Sequence, residues 1–123
     1  MARVTGLGGV FHVVKDPEAT RRWYRDNLGL DGTYGPLLRW SEERGEQPYS
    51  LLSHFTDGKY LAPSQRDFMI NLRVDDLDGM VAQLKDKGIE ILGEADEGYG
   101  KFAWIMDCDG VKLELWQQLA APE

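Results

Sequence analysis

The sequence predicts an α+β fold built from two βαβββ modules. Three observations carry this expectation. A strand-like run leading into a capped, glycine-stopped helix occurs twice, matching Val14 to Val74 and Gly29 to Gly88 at offsets of 60 and 59 residues. Each helix is followed by glycine-punctuated, strand-forming segments. Asp109-Gly110 has the chemistry of a tight turn between two alternating runs.

In chain order, residues 8–14 form an apolar, β-branched run bounded by glycines and read as a buried strand. Asp16 is a good N-cap, Pro17 suits the first helical position, and Glu18 faces the positive end of the helix dipole. A helix should run to about Leu28, with Ala19, Trp23 and Asn27 or Leu28 on its inner face and Gly29 as its left-handed stop. Residues 34–40 and 49–55 are the remaining strand candidates of the first module.

The second module opens with a strand over residues 69–74. Asp75-Asp76 then caps a helix whose Leu77, Met80, Val81 and Leu84 follow the i, i+3, i+4, i+7 spacing, and Gly88 ends it. Residues 90–92, 101–106 and 111–116 follow as strands. Period-2 alternation puts Lys112, Glu114 and Trp116 on one face of the last strand, opposite Val111, Leu113 and Leu115. The apolar face belongs against a helix, which turns Glu114 toward the concave side. The modules span residues 1–60 and 66–119 of one domain, residues 1–123.

Composition excludes several function classes. Fourteen Lys and Arg against twenty-one Asp and Glu give a net charge of −7, which repels a phosphate backbone or an anionic lipid surface, so nucleic acid and membrane are not expected partners. No apolar window approaches the ~20 residues of a membrane span, and residues 1–10, despite Arg3, lack a signal-peptide core. The one cysteine, Cys108, cannot close an intrachain disulfide, so a reducing cytoplasm is expected. Its acidic neighbours Asp107 and Asp109 should raise its thiol pKa.

Two motifs go beyond composition. Val-x-Asp-Pro-Glu-x-x-x-x-Trp-Tyr-x-x-x-Leu-Gly-Leu (Val14 to Leu30) and Met-Asp-x-Asp-Gly-x-x-x-Glu-Leu-Trp (Met106 to Trp116), set in two βαβββ units, resemble the vicinal oxygen chelate superfamily. That superfamily includes glyoxalase I, extradiol dioxygenases and bleomycin-resistance proteins. In its metal-dependent members two residues from each half hold a divalent ion. The resemblance places those four positions at Gly9, Ser50, Met69 and Glu114. Only Glu114 keeps a ligating carboxylate, whereas open catalytic metal sites supply about three protein ligands. A metal is therefore disfavoured and no cofactor is expected. A His12, His54 and Glu114 triad fails on geometry. His12 is three residues from Gly9 and faces the other side of its strand, and His54 lies roughly 13 Å along a strand from Ser50.

The resemblance implies that the two modules curl a mixed sheet around a concave pocket, in which a glyoxalase-like protein binds a small organic molecule. Glu114 is the candidate catalytic residue, a general base in a lyase- or isomerase-type reaction, with Asn71 or Arg73 stabilising an oxyanion. Phe11, Asn71, Arg73, Trp104, Trp116 and His54 are the candidate ligand-binding residues. Sequestration of a drug or other small molecule without catalysis, as in the bleomycin-resistance branch, is the alternative, and a dioxygenase or glyoxalase with displaced metal ligands is a further one. Phe102 and Met69 share the concave side by alternation, Trp40, Tyr49 and Tyr60 could close it, and residues 55–67 are a linker or lid. The family also implies a homodimer.

Overall fold

The computed structural model describes residues 7–43 and 45–122, so Arg3 and Arg44 lie outside the described residues. Helix α1 (Pro17–Leu28) begins where Asp16 accepts a hydrogen bond from the Ala19 amide at 3.3 Å and stops at Gly29, whose φ of 69° suits a residue without a Cβ. Strand β1 (Ile70–Arg73) leads into helix α2 (Leu77–Asp86), capped by Asp76 on the Gly79 amide. Strands β2 (Gly93–Asp96), β3 (Gly100–Met106) and β4 (Lys112–Gln118) follow.

The four strands make one mixed sheet in the order β1-β4-β3-β2, with β1 parallel to β4 and the other pairs antiparallel. Val111, Leu113 and Leu115 meet Ala103 and Ile105 of β3 on one face, where Leu77, Val81 and Leu84 of α2 cover them. All five strand-side residues are fully buried. This is the apolar face that alternation assigns.

Helix α1 meets this core through the expected Trp23 and Leu28, both partly buried against it, and through Tyr24, which is buried more deeply. The Tyr24 hydroxyl donates to Asp107 Oδ2 at 2.6 Å, while the other oxygen of Asp107 accepts the amides of Asp109 and Val111 at 2.8 and 2.9 Å. Thr20 Oγ1 donates to Asp109 Oδ2 at 2.6 Å. A buried carboxylate must be paired to be tolerable, and Asp107, 7% exposed, is paired by the turn it closes and by the helix above it. The Asp-Gly turn therefore fastens the first half of the chain to the second.

The first half departs from expectation. Among the described residues none of the segments 8–14, 34–40 and 49–55 is a strand, and the sheet ends at β1. The expected 90–92 strand lies slightly later, at Gly93–Asp96. Alternation supplies strand propensity but not the neighbour whose amides and carbonyls complete a ladder. Among the described residues of this single chain no strand pairs with those segments. Residues 40–42 and 59–61 form single 3-10 turns instead.

Candidate functional site

Strand register assembles the site. Asn71 stands opposite Glu114, Arg73 opposite Trp116, Trp104 opposite Glu114 and Phe102 opposite Trp116, so these side chains share the face away from the helices. Gly93 and Ala95 oppose Trp104 and Phe102 on the adjoining strand, where their small size leaves the rings uncrowded.

Glu114 is the polar centre. Its Oε1 accepts from Asn71 Nδ2 at 2.7 Å, and its Oε2 accepts from Trp104 Nε1 at 2.8 Å and from the Tyr60 hydroxyl. Three of the carboxylate's roughly four lone-pair positions are thus filled by the chain itself. Burial, and next the adjacent carboxylate, push the Tyr60 phenol well above its ordinary pKa, so it remains a donor. Lys112 holds the turn carrying Tyr60, its Nζ donating to the Tyr60 carbonyl at 2.7 Å and standing 5.2 Å from the ring centre.

The rings form a platform beside it. Phe102 lies between Trp104 and Trp116, with ring centres 6.3 and 6.4 Å away and planes within 11° and 3° of parallel. Tyr60 meets Trp104 edge-on, as Tyr49 meets Trp116 and Tyr99 meets Phe102. Trp116 is only 6% exposed and its buried indole Nε1 has no hydrogen-bond partner among the described residues.

Arg73 belongs to this face but is spent on the chain itself. Its Nε donates to Glu43 Oε2 at 2.7 Å, Nη2 to Glu43 Oε1 at 3.2 Å and to Gln118 Oε1 at 2.5 Å, and Nη1 to the Tyr49 carbonyl at 3.4 Å. It pins Glu43 and Tyr49 onto the sheet and leaves little of its donor set for a ligand.

The structure brings Asn71, Arg73, Trp104 and Trp116 together with Glu114, and it does not bring Phe11 or His54. Phe11 is 97% exposed in an extended segment, and His54 is exposed in the loop before Tyr60. The reason is the same for both: the strands expected to carry them inward have no sheet partner here. His12 packs edge-on against Phe68 at 5.9 Å. Tyr60 is the side chain of this cluster that residue patterning marks least. Its position depends on a loop whose path no periodicity encodes.

The four positions that the family resemblance implies for a metal do not have the chemistry for one. Gly9 has no donor, Ser50 is exposed outside any strand, Met69 offers a thioether, and Glu114 is already gripped by three donors. Among the described residues no group of three His, Cys, Asp or Glu side chains could hold an ion. The donor set does not fit a divalent metal. Cys108, in the turn beside Asp109, has its thiol pushed up to about 11, first by burial and then by Asp109. No helix among the described residues is long and apolar enough to cross a membrane.

Residues 6–115 match the family model described as the Glyoxalase/Bleomycin resistance protein/Dioxygenase superfamily. Among solved structures, the chain is similar to TnmS3, an antibiotic binding protein from Streptomyces sp. CB03234, at 23% identity and TM-score 0.52, covering 89% of this chain and 97% of that one. The fosfomycin resistance protein FosX from Listeria monocytogenes aligns at 14% identity and TM-score 0.59, over 94% of both chains. A glyoxylase/bleomycin resistance protein/dioxygenase domain from Frankia sp. EAN1pec aligns at 22% identity and TM-score 0.54, over 95% of this chain and 96% of that one. At such identities the likeness is one of fold. Curated protein sequences give no significant match.

Proposed function

Because the chain belongs to the glyoxalase/bleomycin resistance protein/dioxygenase superfamily, we propose that it binds a flat organic molecule on the concave face of its sheet and holds it without chemical change. The observation that carries this reading is the pairing of the partly exposed Trp104 and Phe102 rings with a carboxylate, Glu114, whose Oε2 already accepts two hydrogen bonds. Glu114 is held in one orientation by three donors of the chain itself, which supports a fixed hydrogen-bonding role for it. The reading needs no resident metal, and the cytoplasm suits its single thiol. The antibiotic-binding and fosfomycin-resistance neighbours lend it support from the side of the fold.

The test is a titration of the purified protein with a panel of planar aromatic antibiotics, followed by tryptophan fluorescence and by mass spectrometry of the recovered ligand. Saturable quenching with unchanged ligand, weakened at least about tenfold by Trp104→Ala, is expected. Catalytic conversion of any member of the panel would replace the sequestration reading with the lyase or isomerase reading.

We further propose a homodimer. Phe11, Val13, Trp40, Leu51 and Leu52 are large apolar side chains left exposed in strand-patterned or adjoining segments, and β1 is an edge strand. A second copy supplying a strand partner would satisfy both features. Light scattering during gel filtration should give about twice the 13.9 kDa chain mass, and a monomer at high micromolar concentration would refute the pairing.

A further inference from the structure

Resting on the binding reading above, we infer that Tyr60 is an internal occupant of the Glu114 site, a phenol of the chain's own that a ligand displaces, and that the ligand accordingly carries an aromatic ring bearing a hydroxyl or N–H donor. The three donors to Glu114 are not equivalent. Asn71 and Trp104 sit on β1 and β3, directly opposite Glu114 in the ladders, so their positions are fixed by backbone pairing on either side of β4. Tyr60 comes from a three-residue 3-10 turn outside the sheet, 54 residues away in sequence.

That turn is tied down by other parts of itself. Leu61 is buried, and the Lys112 ammonium holds the Tyr60 carbonyl rather than its side chain. Tyr60 remains 44% exposed. Rotation about its side-chain bonds can therefore free Glu114 Oε2 without lifting Leu61 or breaking the Lys112 contact. Of the three donors it is the one carried outside the sheet.

The slot it occupies describes what would replace it. One wall is the Trp104 ring, met edge-on at 6.2 Å and 83°; another is Phe55, also edge-on at 5.6 Å. The Lys112 ammonium lies within reach of the ring face, which suits an electron-rich ring. The inner end is Glu114 Oε2, an acceptor whose lost partner must be replaced by another donor or the contact is forfeited. A phenol meets all of these conditions, since Tyr60 itself does. A plain hydrocarbon ring meets the walls and fails at the acceptor.

Tyr60→Ala removes the occupant and leaves a space of its own shape. Its affinity for p-cresol, the tyrosine side chain as a free molecule, and for toluene, which lacks the hydroxyl, is measured by calorimetry beside the unaltered protein, with circular dichroism verifying the fold. p-Cresol should bind Tyr60→Ala at least about tenfold tighter than it binds the unaltered protein, and about tenfold tighter than toluene binds the same variant. Equal p-cresol affinity with and without Tyr60, or no binding to the variant, overturns the occupant role. Equal affinity for toluene overturns the donor requirement. If Tyr60→Ala does not fold, Tyr60→Phe, which keeps the ring and loses only its tether, carries the test: p-cresol should then bind several-fold tighter than to the unaltered protein, and unchanged or weaker binding refutes the inference. Failure here with the antibiotic panel still bound through Trp104 leaves the broader binding reading standing, whereas loss of panel binding strikes that reading itself.

Discussion

The guanidinium carbon of Arg73 stands 4.6 Å from the centre of the Trp116 ring. The same guanidinium grips Glu43, Gln118 and the Tyr49 carbonyl, and Tyr49 in turn packs edge-on against Trp116 at 5.2 Å. One cation thus joins a loop of the first half to the aromatic platform of the second. Its worth lies in the planar fork, which satisfies several acceptors in fixed directions while its face covers the indole.

Arg73→Lys keeps the charge and loses the fork. With both ion-pair partners mostly shielded from solvent, at 16% and 27% side-chain exposure, the substitution should cost about 2 kcal/mol in denaturant unfolding. Amide exchange should quicken selectively over residues 45–49. Unchanged exchange there would mean that something other than Arg73 holds the loop down.

Two glycines are fixed by close approach rather than by turn geometry. A Cβ at Gly45 would overlap Arg73 Nη2 and Gln118 Oε1, and one at Gly100 would fall 2.6 Å from Trp116 Nε1. Gly45→Ala should destabilise by roughly 1–3 kcal/mol through the broken clamp. Gly100→Ala should shift the near-ultraviolet circular dichroism of Trp116 while leaving the far-ultraviolet spectrum in place. A Gly100→Ala protein with an unaltered aromatic spectrum would contradict the close approach of that strand to the indole.

Stability should fall in strong base. Burial first, then the carboxylates of Asp107 and Glu114, push the phenols of Tyr24 and Tyr60 above their ordinary value. The unfolded chain begins to release these protons near pH 10 while the folded chain still holds them. Above that pH the unfolded state binds fewer protons, so unfolding becomes easier as pH climbs. The stabilisation is complete below about pH 10 and disappears as pH rises through the folded-state values. Tyr24→Phe should remove part of this slope, measured as urea midpoint against pH, and cost about 1–2 kcal/mol at neutral pH from the lost bond to Asp107. An unchanged slope in Tyr24→Phe would locate the proton release elsewhere.

Cys108 should be a slow nucleophile despite its exposed position. With its thiol pushed up to about 11, alkylation by iodoacetamide at about pH 8 should run at least roughly tenfold slower than that of free cysteine, because the thiolate is the reacting species. Asp109→Asn should accelerate it. An alkylation rate equal to that of free cysteine in the unaltered protein would contradict the burial and charge assigned to this turn.

Zinc, nickel or manganese, added to metal-stripped protein, should leave its thermal midpoint unmoved. An ion bound to the folded state at about a hundredfold excess over its Kd would stabilise it by about 2.7 kcal/mol, a shift that calorimetry detects readily. A saturable rise abolished by Glu114→Gln would show that Glu114 exchanges its three donors for a metal.

The amino-acid order by itself determined the second module almost entirely. Asp76 and Gly88 bracket one helix, Asp109-Gly110 turns one hairpin, and alternation sends Leu113 and Leu115 inward and Glu114 outward, because caps, tight turns and pleat are local properties. Helix α1 was equally local, with Asp16 and Gly29 at its ends. Tertiary structure decided what those local rules cannot reach. It brought Tyr24 onto Asp107, left Phe11 in solvent for want of a strand partner, turned Arg73 inward onto Glu43, and brought Tyr60 across 54 residues onto Glu114. Each of these outcomes depends on which distant backbone arrives alongside, and residue spacing carries no record of that arrival.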